Sequence, residues 1–227
     1  MPDPRIAALV PMRHDSERVK GKNYRPLGGR PLFHHVVASL FACPYIDEVV
    51  IDTDSNHIAA NAAEAFPDVR IIDRPEEIRG GDVPMNTVLL HDVSQVSADV
   101  YVQTHSTNPL LRAETISCAI EAYLEAEGRY DSLFTVTPLQ TRLYTADGRP
   151  INHDPAVLLR TQDLPPVMEE NSCLYVFTAA TLRDHGSRIG ERPLMYPLTA
   201  EEAWDIDEEV DWTVVEALYY ATREEPT

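Results

Sequence analysis

The sequence predicts an α/β fold built on a doubly wound, mostly parallel sheet. Short apolar runs alternate along the chain with longer segments whose apolar residues recur at helical spacing. Residues 6–10 form a continuous apolar run, and the segment 47–52 contains the run Val49-Val50-Ile51, as expected for strands that are buried on both faces. This alternation is typical of βαβ units in an open sheet, and a chain of 227 residues fits one such domain.

Strands and helices follow one another regularly up to residue 136. Pro31 suits the first turn of the first helix, and Ser55 is a suitable N-cap for the second. The parallel arrangement follows from this order, because parallel neighbours need a crossover between them. The predicted strands cover residues 6–10, 47–52, 69–72, 99–103 and 132–136, and the predicted helices cover 31–41, 55–65, 87–96 and 113–126.

The pattern changes in the last part of the chain. Residues 138–171 are rich in Pro, Asp and turn signals, so we expect them to leave the main sheet as an inserted arm. A strand at 174–177, a short helix at 181–185 that ends at Gly186, and a final helix at 210–221 complete the pattern. We therefore predict a single domain, residues 1–227, that carries one small arm.

The overall charge and the cysteines limit the partners and the location of the protein. A formal net charge of -18 argues against a broad nucleic-acid-binding surface, which needs clustered Lys and Arg. No apolar run approaches the ~20 residues needed to span a bilayer, and Met1-Pro2 does not begin a signal peptide. Because Cys43, Cys118 and Cys173 lie among apolar neighbours, we expect reduced core thiols in a cytoplasmic protein.

A basic loop follows the first predicted strand. Residues 10–30 read V-P-M-R-H-D-S-E-R-V-K-G-K-N-Y-R-P-L-G-G-R, and they supply Arg13, Lys20 and Lys22 beside the flexible Gly21. Polyphosphates are bound by cations and backbone N–H groups, and ligands of open α/β sheets bind beyond the carboxyl ends of the strands. The Walker and GxGxxG patterns are absent. The residues alone leave open a phosphate-binding loop and a solvated basic loop.

An acidic segment, Asp205-Ile206-Asp207, precedes the last predicted helix. Two Asp at i and i+2 project to one side of an extended chain, and Mg²⁺ prefers carboxylate oxygens together with waters and substrate phosphates. Asp205 and Asp207 are therefore the candidate metal ligands, and Asp211 is expected to cap the helix. A solvated acidic turn is the alternative.

The basic loop matches most of a longer signature, R-x-G-S-x(5)-K-N-x-R-P-L-x-G-x-P-L. In this respect it resembles the acylneuraminate cytidylyltransferase family. His14-Asp15 stands where the family has a glycine pair, and Glu17 replaces its usual Lys. The matching residues are Arg13, Ser16, Lys22, Asn23, Arg25, Pro26, Leu27, Gly29, Pro31 and Leu32.

Further segments resemble the same family in the family's own order, so that the resemblance spans residues 5–215. The last of them is its closing D-I-D-x-x-x-D element, at residues 205–211. The others are Ile51-Asp52-Thr53-Asp54, Arg74-Pro75-Glu76-Glu77, Gly80-Gly81-Asp82, Thr107-Asn108-Pro109-Leu110, residues 160–166, and Asn171-Ser172.

The resemblance implies a nucleotide-diphospho-sugar transferase-like fold and an enzyme that transfers CMP from CTP to the hydroxyl of an acidic, sialic acid-like sugar, releasing pyrophosphate. It also implies a Mg²⁺ ion on Asp205 and Asp207, and a homodimer to which the arm contributes. Arg13, Lys22, Asp205 and Asp207 would be catalytic. The implied nucleotide-binding residues are Arg13, Ser16, Lys22, Asn23, Arg74 (near the base) and Asp82, and the implied acceptor-binding residues are His105, Arg160, Gln162, Glu169 and Asn171.

Two departures from the family pattern concern the acceptor. The family's Gln in Q-P-T-S-P-L is His105 here, which either binds ligand or has a structural hydrogen bond. Where the family often has an Arg for the sialic acid carboxylate, this chain has Glu169, whose charge repels a carboxylate. We therefore hypothesise an acceptor other than N-acetylneuraminate, or a carboxylate bound by another cation such as Arg142 or Arg160. Glu169 facing solvent is the alternative.

Two rival functions remain open on the sequence. One is nucleotidyl transfer with another base, or to a sugar phosphate or phosphonate acceptor. The other is non-catalytic nucleotide binding, since a fold does not fix a function. The joint presence of Arg13, Lys22, Asp205 and Asp207 argues against the non-catalytic alternative.

Overall fold

The computed structural model describes residues 3–16, 18–126 and 128–224. Met1-Pro2 and Glu17, on which two of the expectations above depend, lie outside these ranges. The strands are β1 (Ile6–Met12), β2 (Pro26–Leu27), β3 (Arg30–Pro31), β4 (Glu48–Thr53), β5 (Arg70–Asp73), β6 (Val100–Thr104), β7 (Ser132–Leu139), β8 (Val167–Phe177) and β9 (Pro193–Pro197). The helices are α1 (Phe33–Ala42), α2 (Asn56–Ala65), α3 (Met85–Gln95), α4 (Ala113–Glu125), α5 (Ala179–His185) and α6 (Glu209–Glu224).

The main sheet has seven strands in the order β5-β4-β1-β6-β8-β7-β9. β1 is parallel to both β4 and β6, and β4 is parallel to β5, so that half of the sheet is wholly parallel. In the other half, β8 runs antiparallel to β6 and β7, and β9 is parallel to β7. The predicted doubly wound, mostly parallel α/β fold is confirmed.

Alternate residues of β1 face two separate cores. Ala8 and Val10 pack with α1, α2 and α4 on one face of the sheet, whereas Leu9 packs with α3 and α5 on the other. All residues of β1 are buried. Burial on both faces explains why this strand is continuously apolar, and each large side chain there contributes roughly 1.5–3 kcal/mol.

A third, smaller cluster fixes the basic loop against the acidic segment. Val19 from the loop packs with Ile206, which lies between the two candidate metal ligands. β2 and β3 form a hairpin whose turn, Gly28-Gly29, has φ values of 57° and 85°. A Cβ on Gly28 would lie 2.1 Å from Tyr219 Cε1 of α6, so only Gly allows the hairpin to approach the last helix.

Two parts of the sheet differ from the prediction. β8 begins at Val167 rather than at residue 174, because its polar first half, which includes Glu169 and Glu170, is held by pairing with β7. β9 is absent from the prediction; it is an edge strand with a proline at each end, where a missing N–H group needs no partner.

Cys43 and Cys173 are buried, but Cys118 is exposed on α4, so the prediction of a core thiol is wrong there.

The segment between β7 and β8, residues 140–166, has little regular structure. It contains an isolated bridge between Tyr144 and Pro150 and a 3₁₀ turn at Thr161–Asp163. Large apolar side chains on it are exposed to solvent, and Leu158 is 89% exposed. This is the part of the molecule in which the arm is predicted.

Candidate active site

A cleft of about 520 Å³ opens at the carboxyl edge of the parallel strands. The strand order reverses at β1, with β4 and β5 on one side and β6 on the other. Such a reversal is where open α/β sheets bind their ligands. Among the residues singled out from the sequence, those that line this cleft are Arg13, Ser16, Lys22, Asn23, Arg74, His105, Asp205 and Asp207.

The basic loop places a buried cation and a buried amide at the cleft. Lys22 and Asn23 lie in a 3₁₀ turn that follows Gly21, whose φ of 65° favours glycine. Asn23 Nδ2 donates to the carbonyl oxygen of Arg13 at 2.6 Å, and Asn23 Oδ1 accepts from Ser106 Oγ at 2.7 Å. Asn23 therefore joins the basic loop to the segment that follows β6.

The acidic segment meets the basic loop across the cleft. Lys22 Nζ donates to the Ile206 carbonyl and lies 3.5 Å from Asp207 Oδ1, while Arg18 Nη2 lies 2.8 Å from the same oxygen. Asp205 Oδ1, by contrast, is buried and has no hydrogen-bond partner within the described ranges. Burial raises the pKa of Asp205, and the charge of Asp207 adds to the shift. A desolvated carboxylate beside a second one is an environment that a hard cation stabilises.

Asp211 holds the backbone of the acidic segment. Its Oδ2 accepts from the N–H groups of Asp207 and Glu208 at 2.9 and 2.7 Å, at the start of α6. The predicted capping role is confirmed. The contact leaves the Asp205 and Asp207 side chains available to the cleft.

Arg74 lines the cleft, but its guanidinium is already paired within the sheet. It is 3% exposed and forms a salt bridge with the buried Asp52. Burial, followed by the influence of Asp52, raises the pKa of the neighbouring Asp92 to about 9. Asp92 is therefore protonated at neutral pH, and Arg74 and Asp52 neutralise each other. This makes Arg74 a fixed wall of the cleft rather than a free cation for a triphosphate.

Behind His105 lies an arginine that no sequence motif indicated. Arg188 Nη1 donates to Gln103 Oε1, and Gln103 Nε2 lies 3.2 Å from His105 Nε2. The Arg188 guanidinium also stacks 3.5 Å from the ring centroid of Tyr175. Burial, with the charges of Arg188 and Lys22, lowers the pKa of His105 to about 3, so the ring is neutral.

Asn171 and Ser172 form an irregular point of β8 beside the cleft. Ser172 lines the cleft and has a φ of 58°, a conformation that suits the glycine of the family's N-G element. Asn171 Oδ1 accepts from Thr135 Oγ1 at 2.6 Å, and its Nδ2 donates to Thr137 Oγ1 at 3.2 Å. Asn171 thus holds the junction between β7 and β8, and Ser172 is the neighbour that reaches the cleft.

The structure does not bring five of the suggested residues into the cleft of this chain, Asn171 and four others. Asp82 is exposed, although Gly80 and Gly81 line the cleft. Arg160, Gln162 and Glu169 are exposed on the arm and on the polar end of β8. Their assignment to ligand binding stays a prediction.

Comparison with known proteins agrees with this geometry. The family model described as cytidylyltransferase matches residues 7–221. The chain is 28% identical over 235 residues to the CMP-N,N'-diacetyllegionaminic acid synthase of Legionella pneumophila, covering 97% of this chain and 98% of that protein. It is 26% identical over 234 residues to the 2-C-methyl-D-erythritol 4-phosphate cytidylyltransferase of Frankia casuarinae, covering 95% and 81%.

The fold is also similar to that of a CMP:2-keto-3-deoxy-manno-octonic acid synthetase complexed with CTP. The TM-score is 0.69 at 15% identity, over 96% of this chain and 99% of the other. This likeness supports the fold, whereas the family match covers most of the sequence. The chain therefore belongs to the cytidylyltransferase family and is a nucleotidyltransferase.

Proposed function

We propose that the protein transfers CMP from CTP to the hydroxyl of an acidic, sialic acid-like sugar and releases pyrophosphate. The observation that carries this proposal is that cations and a carboxylate with one oxygen free of hydrogen bonds to the described residues face each other across one cleft. Arg13 and Lys22 line one wall, and the buried Oδ1 of Asp205 lies in the other. A nucleoside triphosphate needs both, because its phosphate oxygens bind cations and its metal ion needs carboxylates.

The reaction joins the acceptor oxygen to the α-phosphorus of CTP. A P–O bond to the sugar forms, the bond from the α-phosphorus to the oxygen bridging to the β-phosphorus breaks, and the hydroxyl proton is released. This chemistry depends on positioning and charge neutralisation. Lys22 and Arg13 would offset the triphosphate charge, while Asn23 fixes the Arg13 backbone through its 2.6 Å hydrogen bond.

Mg²⁺ fits the acidic segment. Asp205 Oδ1 has no partner among the described residues, and Asp207 follows at i+2. The described ranges hold no group of three or more His, Cys, Asp or Glu able to bind a metal, so phosphate oxygens and water would complete the coordination. When bound, Mg²⁺ supplies Lewis-acid polarisation of the phosphoryl oxygens.

A sugar acid is our preferred acceptor. The Legionella relative, which aligns over nearly the full length of both chains, is named for a CMP-linked sugar acid. Glu169 stands where the family often has an Arg for sialic acid, so we retain the hypothesis that N-acetylneuraminate itself is not preferred. The Frankia relative, named for a sugar-alcohol phosphate, keeps the phosphate acceptor as the second candidate.

Pyrophosphate release measured over CTP, UTP, ATP and GTP, with Mg²⁺ and an acceptor panel, tests the proposal. The panel contains N,N'-diacetyllegionaminate, N-acetylneuraminate, 3-deoxy-manno-octulosonate and 2-C-methyl-D-erythritol 4-phosphate. We expect release with CTP and a sugar acid. Pyrophosphate release only with 2-C-methyl-D-erythritol 4-phosphate would show that the acceptor is a sugar phosphate and not a sugar acid. CTP binding without pyrophosphate release in any combination would overturn transferase activity. Efficient use of N-acetylneuraminate, unchanged by Glu169→Ala, would remove the selectivity hypothesis.

We also propose that two copies associate through the arm. Ile151, Val157, Leu158 and Leu159 are exposed there, and monomers rarely expose such a concentration of large apolar side chains. Light scattering should give a dimer mass for the wild type and a monomer mass for Leu158→Asp. The matched control is Leu90→Asp, at a partly exposed leucine of α3. A monomeric wild type would contradict the proposal.

A cytoplasmic location is the remaining proposal. It is supported by Cys43, Cys118 and Cys173, all of which are free thiols. In the part of the chain that the structure describes, no helix is long and apolar enough to cross a membrane. Fractionation of the source cells, with recovery of the protein in the cytoplasmic fraction, would test the location.

A further inference from the structure

Arg188, in the loop that follows α5, is a largely buried cation next to the cleft. Nη1 donates to Gln103 Oε1, the guanidinium carbon lies 3.5 Å from the Tyr175 ring centroid, and the backbone N–H donates to Asn86 Oδ1 at 3.3 Å. Burial lowers the pKa of Arg188, which reflects the cost of desolvating its charge. The desolvation cost of this cation must be offset by an interaction that stabilises its charge.

Arg188 has no carboxylate partner within residues 3–16, 18–126 and 128–224. Glu170 acts on it only at longer range, and the carboxylate of Glu170 accepts from the Tyr175 hydroxyl. Two cations that line the cleft differ from Arg188, since Arg74 is paired with Asp52 and Lys22 lies near Asp207. Stacking on Tyr175 offsets only part of the desolvation cost. A desolvated guanidinium without an internal counter-ion is the arrangement expected of an anion-binding site.

A chain of polar contacts connects Arg188 to the cleft. Because Arg188 can only donate, the Gln103 amide turns its oxygen to Arg188 and its nitrogen to the Thr104 carbonyl, at 2.9 Å, and to His105 Nε2. His105 therefore accepts at Nε2 and carries its proton on Nδ1. Since His105 lines the cleft, that N–H is available to a ligand there.

The arginines considered from the sequence are less suitable for an anionic acceptor. Arg160 is bonded through Nε and Nη2 to the Asp163 carboxylate at 2.6 and 2.9 Å. Arg142 donates to the Leu159 carbonyl on the arm. Both side chains are therefore committed to partners on the arm, with no contact to a described residue that lines the cleft, whereas Arg188 is connected through Gln103 to His105, which does line it.

We propose that Arg188 binds the carboxylate of the acceptor sugar, with the Nδ1–H group of His105 as a second donor to the acceptor. This inference rests on the proposed function and specifies its acceptor site. Arg188 takes over the task for which the family often uses an Arg at the position of Glu169, which is exposed here. A guanidinium suits the task, because its planar N–H groups match both oxygens of a carboxylate.

Steady-state kinetics of Arg188→Gln and Arg188→Lys test the inference. The sugar acid that the wild type uses is compared with the carboxamide of the same sugar at C1. We expect Arg188→Gln to raise the KM for the acid roughly 30-fold or more, because it removes a desolvated charge partner. The KM for CTP should stay within about 2-fold, and Arg188→Lys should be intermediate. On the carboxamide, wild type and Arg188→Gln should be equally poor.

Arg183→Gln, at an exposed arginine on α5, is the matched control and should behave as wild type. An unchanged acid KM in Arg188→Gln overturns the inference. Equal losses on the acid and the carboxamide also overturn it, since they indicate that Arg188 only positions Gln103 and His105. If Arg188→Gln does not fold, an unchanged acid KM in Arg188→Lys does the same.

Failure of the proposed function gives a different result. A wild type that uses 2-C-methyl-D-erythritol 4-phosphate but no sugar acid overturns the acceptor, and with it the carboxylate role of Arg188. A wild type that uses a sugar acid, with Arg188→Gln indistinguishable from it, retains the proposed function and loses only the role of Arg188.

Discussion

On the side of the cleft that we propose for the nucleotide, the polar groups come from one loop, which contains Arg13, Ser16, Lys22 and Asn23 and lines the same cleft as Asp205 and Asp207. On the side that we propose for the acceptor, they come from separate segments. His105 and Ser172 line the cleft after β6 and within β8, and Arg188, in the loop after α5, is connected to it through Gln103. The nucleotide side is therefore formed mainly by residues close together in sequence, whereas the acceptor side is formed by residues that only tertiary structure brings together.

The two sides of the cleft also differ in their charged residues. Lys22 and Arg18 lie close to Asp207, so the nucleotide side contains charges of both signs. The cations can bind a triphosphate, and the carboxylate can bind its metal ion. On the acceptor side, His105 is neutral and Arg188 is desolvated. We therefore expect single substitutions on the proposed acceptor side to affect the acceptor without changing the nucleotide loop. Variants on the two sides should separate CTP-dependent from acceptor-dependent kinetic effects.

The largest effect is expected for Asp205→Asn, on the nucleotide side. Removing the charge of a candidate metal ligand should lower kcat by about 10³-fold and raise the Mg²⁺ concentration needed for activity. Thermal stability should hold or rise, because the neutral amide removes a desolvated charge whose pKa is raised by burial. Magnesium titrations of activity, together with melting curves, check both expectations.

The control for that variant is Glu209→Gln, at an exposed carboxylate that pairs with Arg25 Nη1 at 2.7 Å. It should stay within about 2-fold of wild type, because exposed ion pairs contribute little. If Asp205→Asn keeps more than about a tenth of wild-type activity, Asp205 is not the principal metal ligand.

Lys22→Met should have the next largest effect. The variant keeps the aliphatic stem but loses a buried cation, so kcat/KM for CTP should fall by roughly 10²-fold. The KM for the acceptor should change little, because Lys22 lies on the nucleotide side. Lys20→Met, at an exposed lysine two positions away, is the control. Equal losses in the two variants would point to overall loop charge rather than to Lys22.

Asn23→Ala tests the link between the two halves. The variant loses the hydrogen bonds to the Arg13 carbonyl and to Ser106 Oγ, at 2.6 and 2.7 Å. We expect a loss of roughly 10-fold in kcat/KM for both substrates, since each net hydrogen bond contributes about 1 kcal/mol. Ser106→Ala removes only the second bond and should be milder. A change confined to CTP would mean that the halves act independently.

The parts of the fold that sequence predicts are those with a local signal. The strand around Val49 and Ile51 is apolar because both of its faces are buried. The first half of β8 carries Glu169 and Glu170, and it becomes a strand only through its pairing with β7. β9 has an apolar run of only three residues, Leu194-Met195-Tyr196, between two prolines, and it depends on parallel pairing with the far side of β7. Such pairings cannot be deduced from local composition.

The candidate site follows the same division. The continuous signature finds Arg13, Lys22 and Asn23 because the chemistry and the backbone turn lie in one segment. It cannot show that Arg74 is neutralised by Asp52, since that salt bridge joins β4 to the residue that follows β5. Arg188 has no motif at all, because its contact with Gln103 spans 85 positions of sequence. Long-range contacts of this kind appear only in the folded structure.

The smallest effect is expected for His105→Gln, on the acceptor side, which restores the amide that the family carries. The pKa of His105 is lowered to about 3, so the ring is neutral at working pH and a Gln offers the same donor and acceptor. Activity should stay within about 3-fold at pH 7.5, whereas His105→Ala should lose more because Gln103 Nε2 loses its partner.

At acidic pH, His105→Gln should differ from the wild type in thermal stability, although the two have similar activity at pH 7.5. The unfolded chain binds a proton at His105 below about pH 6.5, and the native state does so only near pH 3. Wild-type stability is therefore lost as the pH falls from 6.5 towards 3, and His105→Gln lacks this contribution. Between pH 7.5 and 5 this amounts to about 2 kcal/mol, so the melting temperature of the wild type should fall by ~4–8 °C more than that of the variant. Identical falls would contradict the lowered pKa of His105, and the proposed acceptor side would then contain a second cation below about pH 6.5.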